Sequence, residues 1–296
     1  MTLDKFLKTG ISYFEKKSIK NAKDDAMQIF LNAFDLTLAK FLQYKDIDLM
    51  TLNNNIKSWD EKINKFNDMM VKRVKHMPLQ YILNEAYFYN LKFYVDENVL
   101  IPRQDTEVLV ENVINDYKNG VINLLDLCTG TGAIGISIAK NINVNNLILA
   151  DISEKALEIV KRNIHTNNIE NSNVYFLITD MFSNIMKFKI DNNIKNFDVI
   201  TINPPYIESS VIDTLDNEVK YFEPRIALDG GEDGLKFYKI IFDNIYQHLS
   251  LNGKVYMEIG FNQANSIRDL FSSYEYNNFN VIKDLANNDR VITFTL

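Results

Sequence analysis

Hydrophobic and polar positions along this chain change period three times, and each change marks a boundary. Over roughly the first 80 residues, apolar side chains recur at intervals of three and four. They are Phe6, Ile11 and Phe14; then Ala26, Ile29, Phe30, Ala33, Phe34 and Leu38; then Ile56, Trp59, Ile63, Phe66, Met69, Met70 and Val74. That is the spacing of amphipathic helices. It predicts three of them, the third over about 51–75, with Trp59 in the core of a small bundle. Asp24 and Asp25 stand where the first turn of the second helix favours acids. From Leu79 to Leu100 the period falls to two, through Tyr81, Leu83, Tyr87, Tyr89, Leu91, Phe93 and Val95, which predicts a β-hairpin.

Beyond a helical run at 108–117, apolar strand-like runs at 121–127, 146–151, 174–179, 197–203 and 254–259 alternate with helical periods at about 132–141, 154–166, 233–249 and 262–273. Strand alternating with helix predicts a doubly wound parallel sheet with right-handed crossovers. The last two runs, 279–283 and 290–295, are separated by Asn- and Asp-rich turn residues, so they read as a hairpin whose final strand runs antiparallel. The chain therefore divides into a helical domain at 1–78, a β-hairpin linker at 79–100 and an α/β domain at 101–296.

The α/β pattern places its most informative residues at a strand end. Phe197-Asp198-Val199-Ile200-Thr201-Ile202 runs into Asn203-Pro204-Pro205-Tyr206. Two successive prolines have no N–H for a ladder, so the chain must leave the sheet there in a rigid turn. The turn presents an Asn amide, neighbouring carbonyls and an aromatic ring at a strand's carboxyl end, where open α/β sheets bind ligands. Asn203's side-chain oxygen and the Pro204 carbonyl make a pair of acceptors suited to an –NH2 group. Tyr206 offers a flat apolar wall. Chemistry on a planar amide or amino nitrogen fits this set.

A second strand end carries Asp126-Leu127-Cys128-Thr129-Gly130-Thr131-Gly132-Ala133-Ile134-Gly135. Gly130 and Gly132 let backbone approach a ligand closely, and Asp151, ending the next strand, can accept from ribose hydroxyls. The glycine spacing is equally that of a dinucleotide fingerprint. Two features favour S-adenosylmethionine over NAD. Asp126 would suit the cofactor's ammonium group, held directly or through ordered water, and oppose a pyrophosphate, and Thr179-Asp180-Met181-Phe182 offers an acid and apolar groups for adenine. The candidate cofactor residues are thus Asp126, Cys128, Thr129, Gly130, Thr131, Gly132, Asp151, Asp180, Met181 and Asn203. A structural glycine turn or an ordinary Asn would explain either loop alone; their combination points to a site. His76, His165 and His248 show no metal-ligand spacing, and Cys128 has no His–carboxylate company to make it a nucleophile.

Composition narrows the setting. A single cysteine, Cys128, excludes an internal disulfide framework and fits a reducing compartment. Neither a basic–apolar leader nor an apolar run of about 18 residues is visible, so the expectation is a cytoplasmic protein with no membrane contact. The first 80 residues carry 14 Lys and Arg against 10 Asp and Glu, and the rest carry 18 against 29. The acidic larger part is a poor match to a phosphate backbone, so no nucleic-acid partner is expected.

With both loops in view, the chain resembles the HemK-type protein-(glutamine-N5) methyltransferases, which modify peptide chain release factors. The likeness runs through the helical N-terminal part, Ile101-Pro102-Arg103-Gln104-Asp105-Thr106-Glu107, the loop 126–134, Asn203–Tyr206, Tyr221-Phe222-Glu223-Pro224 and Asn288-Asp289-Arg290. Asn-Pro-Pro-Tyr alone is shared with adenine-N6 and guanine-N2 methyltransferases; the Arg103 and Glu223 segments narrow it. The resemblance implies a Class I S-adenosylmethionine-dependent methyltransferase fold with a C-terminal antiparallel strand. It implies transfer to a Gln side chain in a Gly-Gly-Gln segment, leaving S-adenosylhomocysteine. Asn203, Pro204 and Tyr206 are the implied catalytic residues, and these with Pro205 bind substrate. Residues 1–78 would dock the release factor, and Glu223 is a candidate lid residue. Cys128 departs from the family's usual Gly, Gln104 from a common Pro, and Met181 from a frequent aromatic. A nucleic-acid methyltransferase and a non-catalytic cofactor-binding module stay open as alternatives.

Overall fold

The computed structural model describes residues 1–48, 59–170 and 172–296. It separates into two compact units. One comprises Met1–Asn84 with Asn217–Phe222, the other Glu85–Asp216 with Glu223–Leu296.

The first unit is helical. Its helix Leu3–Lys16 starts at Thr2, whose hydroxyl accepts from the Lys5 amide and so satisfies an otherwise open donor. The helix Ala22–Phe34 carries Asp24 and Asp25 in its first turn. It stops before Leu38, contrary to the continuous run expected from periodicity. Asp35 adopts a left-handed conformation (φ 53°), and Thr37 then caps a separate helix, Leu38–Tyr44, with Leu38 half exposed. The helix Trp59–Val74 completes this framework; the expected helical start at 51–58, including Ile56, lies outside the described residues. Phe30 and Phe34 stack at 4.5 Å, Phe34 meets Trp59 at 5.0 Å, and Phe66 packs edge-on to Phe30. Trp59 is indeed a core residue. Beneath the rings Arg73 pairs with Asp25 at 2.6 Å, both buried, and reaches Glu218 at 2.7 Å. Losing one partner of such a buried pair would strand a charge at a cost of about 3–5 kcal/mol.

The stretch after it corrects the reading of 79–100. Leu79–Leu83 is a single helical turn led by Pro78 and closed by Asn84 in the left-handed region, so Tyr81 and Leu83 are helical and not in a strand. The hairpin itself is short: β1 (Ala86–Phe88) pairs with β2 (Leu91–Phe93) across Tyr89-Asn90, both at positive φ, as a tight hairpin turn requires. The two turn residues shift the inward phase, so Phe88 and Phe93 are buried while Tyr87 faces out.

The second unit is built on one mixed sheet. Strands β3 (Val121–Leu127), β4 (Asn143–Asp151), β5 (Asn173–Ile178), β6 (Phe197–Ile202), β7 (Leu249–Glu258), β8 (Asn277–Lys283) and β9 (Asp289–Thr295) stand in the order β5-β4-β3-β6-β7-β9-β8. All neighbouring pairs from β5 to β7 are parallel, while β9 runs antiparallel to β7 and β8. The closing hairpin read from the tail is present. Alternation along β3 and β6 feeds a core on each face: Leu125, Leu127, Ile200 and Ile202 go to one, Leu124 and Val199 to the other. Because both faces are covered, the strands read as nearly unbroken apolar runs. The helices Glu107–Tyr117, Ala133–Asn141 and Glu154–Thr166 cover one face; Ile185–Asp191, Lys236–Asn244 and Ala264–Phe271 cover the other. The helix expected to 249 ends early because residues 245–247 tighten into a 3-10 turn and β7 starts at Leu249.

Among the described residues, no helix is long and apolar enough to cross a membrane.

Candidate active site

β3 is flanked by β4 on one side and β6 on the other, so the chain's winding reverses between β3 and β6. Their last paired residues are Leu127 and Ile202. The loops that follow, 128–132 and 203–206, therefore open side by side at the carboxyl edge, the crevice where sheets of this kind bind ligands. A cavity of about 310 Å³ lies there, within the range of small-molecule sites. Its wall includes Cys128, Thr129, Gly130, Thr131, Asp151, Asp180, Met181, Asn203 and Pro205 from the residues named from sequence.

Asp126 is not in that wall. It is fully buried. Its carboxylate accepts from the Thr129 hydroxyl at 2.5 Å, the Thr201 hydroxyl at 2.7 Å and the Gly135 amide at 3.2 Å. Desolvation raises its pKa to about 6, against the hydrogen bonds that favour the charged form. Asp126 thus ties the loop to β6 and to the first turn of the next helix.

The two glycines divide the work differently from expectation. Gly130 (φ 55°) would meet nothing within 4 Å if given a Cβ, so its bare backbone faces open space at the cavity. Gly132 (φ 79°) points the other way: a Cβ would sit 2.8 Å from Ile136 Cδ1 and 3.1 Å from Val160 Cγ1. Its smallness serves the helix–sheet core.

Cys128 (φ 57°) and Met181 (φ 49°) both take the left-handed conformation that favours glycine, at a cost of about 1–2 kcal/mol each. These two departures from the family pattern touch, with the Cys128 thiol 3.7 Å from Met181 Sδ. Burial pushes the thiol's pKa well up, helped by nearby Asp151, Asp126 and Asp180, which keeps it protonated and unreactive.

Asp151 accepts from the Gly130 amide and the Ser153 amide, each at 2.9 Å, and burial raises its pKa. The backbone at Ile152 donates as well, and of a carboxylate's roughly four acceptor sites one remains for a ligand hydroxyl. Asp180 is exposed at the rim, and Ile134, Ile152, Met181 and Phe237 supply apolar surface. An open glycine backbone, a hydroxyl-accepting acid and an apolar slot suit an adenosine-bearing cofactor. Asp151→Ala is expected to weaken S-adenosylmethionine binding about 10–100-fold while turnover at saturating cofactor stays near wild type, because a contact made equally before and during transfer sets affinity and not rate. Calorimetric affinity beside saturated kinetics checks this; a collapsed rate at unchanged affinity would contradict it.

Asn203 and Pro205 face the cavity, Pro204 is buried, and Tyr206 is half buried with its hydroxyl 3.3 Å from Glu258 Oε1. Burial raises the Tyr206 pKa, so its phenol stays neutral. Arg103 Nη2 donates to both Glu223 oxygens, at 2.7 and 2.6 Å, and Arg103 and Pro224 line the cavity. Glu223 thus anchors part of the cavity wall. Sequence reading missed Asn163, whose amide bonds Thr131 O and Tyr94 O and accepts from the Tyr94 amide. It also missed Ile152, an apolar residue just past a strand-ending acid, which was a readable signal.

This sheet order, with a ligand cavity at the switch point and Asn-Pro-Pro-Tyr beside it, defines a Class I S-adenosylmethionine-dependent methyltransferase. The Methyltransferase small domain family model matches residues 103–218. SMU.776, assigned as a methyltransferase and solved with SAH, shares the fold at a TM-score of 0.52 and 14% identity, over 81% of this chain and 68% of that one. A release factor glutamine methyltransferase from Thermodesulfovibrio yellowstonii is 42% identical over 85% of this chain and 87% of its own length. Those from Clostridium botulinum and Francisella tularensis are 35% and 34% identical, over 99% and 98% of this chain and 98% and 96% of theirs. The chain belongs to the release factor glutamine methyltransferase family.

Proposed function

We propose that this protein transfers the methyl group of S-adenosylmethionine to the side-chain amide nitrogen of a glutamine in a peptide chain release factor, within its Gly-Gly-Gln segment. The observation that carries the reading is the placement of Asn203 in the wall of the cofactor cavity, on a proline-stiffened turn at the end of β6. When bound, the cofactor supplies an electrophilic methyl group. An amide nitrogen is a poor nucleophile because its lone pair is delocalised into the carbonyl. Asn203's oxygen and the Pro204 carbonyl accept its two N–H groups, orient it, and stabilise positive charge as it develops on nitrogen. As the nitrogen gains the methyl group it gives up one of these two protons to solvent, leaving a neutral N-methyl amide and S-adenosylhomocysteine. Tyr206 flanks the planar amide, and its raised pKa keeps the ring a neutral wall.

A nucleic-acid amine is the competing acceptor, since the same turn would serve a flipped base. The excess of acids over bases in residues 81–296 disfavours it. Labelled cofactor offered with release factor, RNA and DNA separates the two: label in the factor is expected, and label confined to nucleic acid would sink the protein-substrate reading.

The helical unit, with its basic surplus, is proposed to dock the substrate protein, using remote binding energy to place the Gln. Reversing the exposed Lys16, Lys20 and Lys23 to Glu should raise KM for whole release factor several-fold while barely changing kinetics on a short Gln peptide. An unchanged KM for the whole factor removes docking through these lysines from the account.

A further inference from the structure

The prolines that stiffen residues 203–206 also strip the turn of donors. Neither Pro204 nor Pro205 has an N–H, so that pair can be anchored through hydrogen bonds only by its carbonyls. Asn203 sits immediately before the pair and Tyr206 immediately after it. With φ fixed in both prolines, fewer free backbone rotations separate Tyr206 from Asn203 than in an ordinary turn.

Tyr206 is held from behind by the segment that follows β7. Its carbonyl accepts from Gln263 Nε2 at 3.0 Å, and the same amide reaches Gly234 O at 3.3 Å. The orientation of Gln263 is not arbitrary. Its Oε1 accepts from the Gly260 amide at 2.9 Å and the Tyr238 hydroxyl at 3.2 Å. A backbone N–H can only donate, so the oxygen must face Gly260 and the NH2 group must face Tyr206. Gln263 is 9% exposed and Tyr238 fully buried. Two glycines close the clamp: a Cβ on Gly230 would lie 2.7 Å from Tyr206 Cα, and one on Gly234 would lie 2.6 Å from Tyr206 O. The phenol–Glu258 bond, at 3.3 Å, is long for an O–H···O contact, so the carbonyl bond is the firmer restraint.

We propose that Gln263 is a positioning residue for methyl transfer: by gripping the Tyr206 carbonyl it fixes the Pro204-Pro205 turn and, through it, Asn203. This rests on the role of Asn203 proposed above. Gln263 is absent from the cavity wall, so its effect should fall on turnover and not on cofactor binding. Misplacing a reacting group by about 1 Å costs on the order of 10²-fold in rate. Gln263→Leu keeps bulk and removes both hydrogen-bonding functions. Gln263→Glu keeps shape and the Oε1 acceptor but sets an oxygen against two carbonyls. Tyr238→Phe keeps the ring and removes a hydroxyl that reaches both Gln263 Oε1 and Glu258 O, each at 3.2 Å, so it loosens the hold on Oε1 without touching Gln263 itself.

The experiment measures kcat on intact release factor at saturating cofactor, and S-adenosylmethionine affinity separately by calorimetry. Gln263→Leu and Gln263→Glu are expected to lower kcat roughly 10–100-fold with affinity within about threefold of wild type. Tyr238→Phe should lower kcat about threefold or more, again at unchanged affinity. It carries the test if the Gln263 variants do not fold. A wild-type kcat in Gln263→Glu or in Tyr238→Phe overturns the proposal. So does a loss of turnover matched by an equal loss of affinity, because that would mean general collapse of the site. A wild-type protein that leaves the factor unmodified would overturn the functional reading itself, a result visible before any variant is made.

Discussion

Replacing Asn203 with alanine is expected to lower turnover by roughly 10²–10³-fold, the scale set by removing one preorganised hydrogen-bonding group that acts on transition-state charge. In β6 the apolar run Val199, Ile200 and Ile202 is fully buried. The strand ends at Ile202 and delivers Asn203 directly to the cavity. In the ground state a Gln amide carries only partial positive charge on its hydrogens, and an acceptor there contributes modestly to binding. As the methyl group arrives, the nitrogen gains positive charge and the same acceptor becomes worth several times more. A contact that strengthens in this way appears in kcat. Saturated kinetics on whole release factor check the prediction. Turnover of Asn203→Ala at the wild-type level would remove Asn203 from the mechanism.

A large effect on stability is also expected at Gly132. Valine there must hold a β-branched side chain at φ 79° and push its Cβ to 2.8 Å from Ile136 and 3.1 Å from Val160, both fully buried. Overpacking of this kind costs about 1–3 kcal/mol, and the left-handed backbone adds about 1–2 kcal/mol. Together they remove about 2–5 kcal/mol, a large part of a typical domain's stability of about 5–15 kcal/mol. Gly130→Ala is the contrasting case. It faces open space, so the backbone strain alone should cost about 1–2 kcal/mol, while the added methyl intrudes on the ligand's approach and should weaken cofactor binding. Urea unfolding and calorimetric affinity on both variants separate the two roles. A Gly132→Val protein that unfolds at the wild-type midpoint would contradict the assignment.

The contrast between these glycines shows where sequence reading stops. The strand ends, the two loops and the antiparallel tail were legible because each depends on local signals: apolar period, proline, glycine and acids at strand termini. Which way a Cβ points from a positive-φ glycine depends on what packs behind it, and nothing local says that Val160 lies behind Gly132. The partners of Asp126 were hidden for a related reason. Its place between Leu125 and Leu127 fixed which face it occupies, but that this face meets Thr201 follows only from β3 and β6 being neighbours. The Gln263 clamp was hidden in the same way, since 57 residues separate it from Tyr206 and no local signal joins them. The two slips in the helical part and the hairpin, at Leu38 and at Tyr81–Tyr87, come from single residues at positive φ or from a two-residue turn. Such features change direction without disturbing hydrophobic spacing.

The most direct test of the whole account is mass spectrometry of a release factor before and after incubation with this protein and S-adenosylmethionine, followed by fragmentation of the peptide that holds Gly-Gly-Gln. The account predicts replacement of one hydrogen by one methyl group, located on the glutamine side chain and absent when cofactor is withheld. A release factor recovered unmodified under conditions where the protein demonstrably binds the cofactor, or a methyl group located on any other residue, would contradict it.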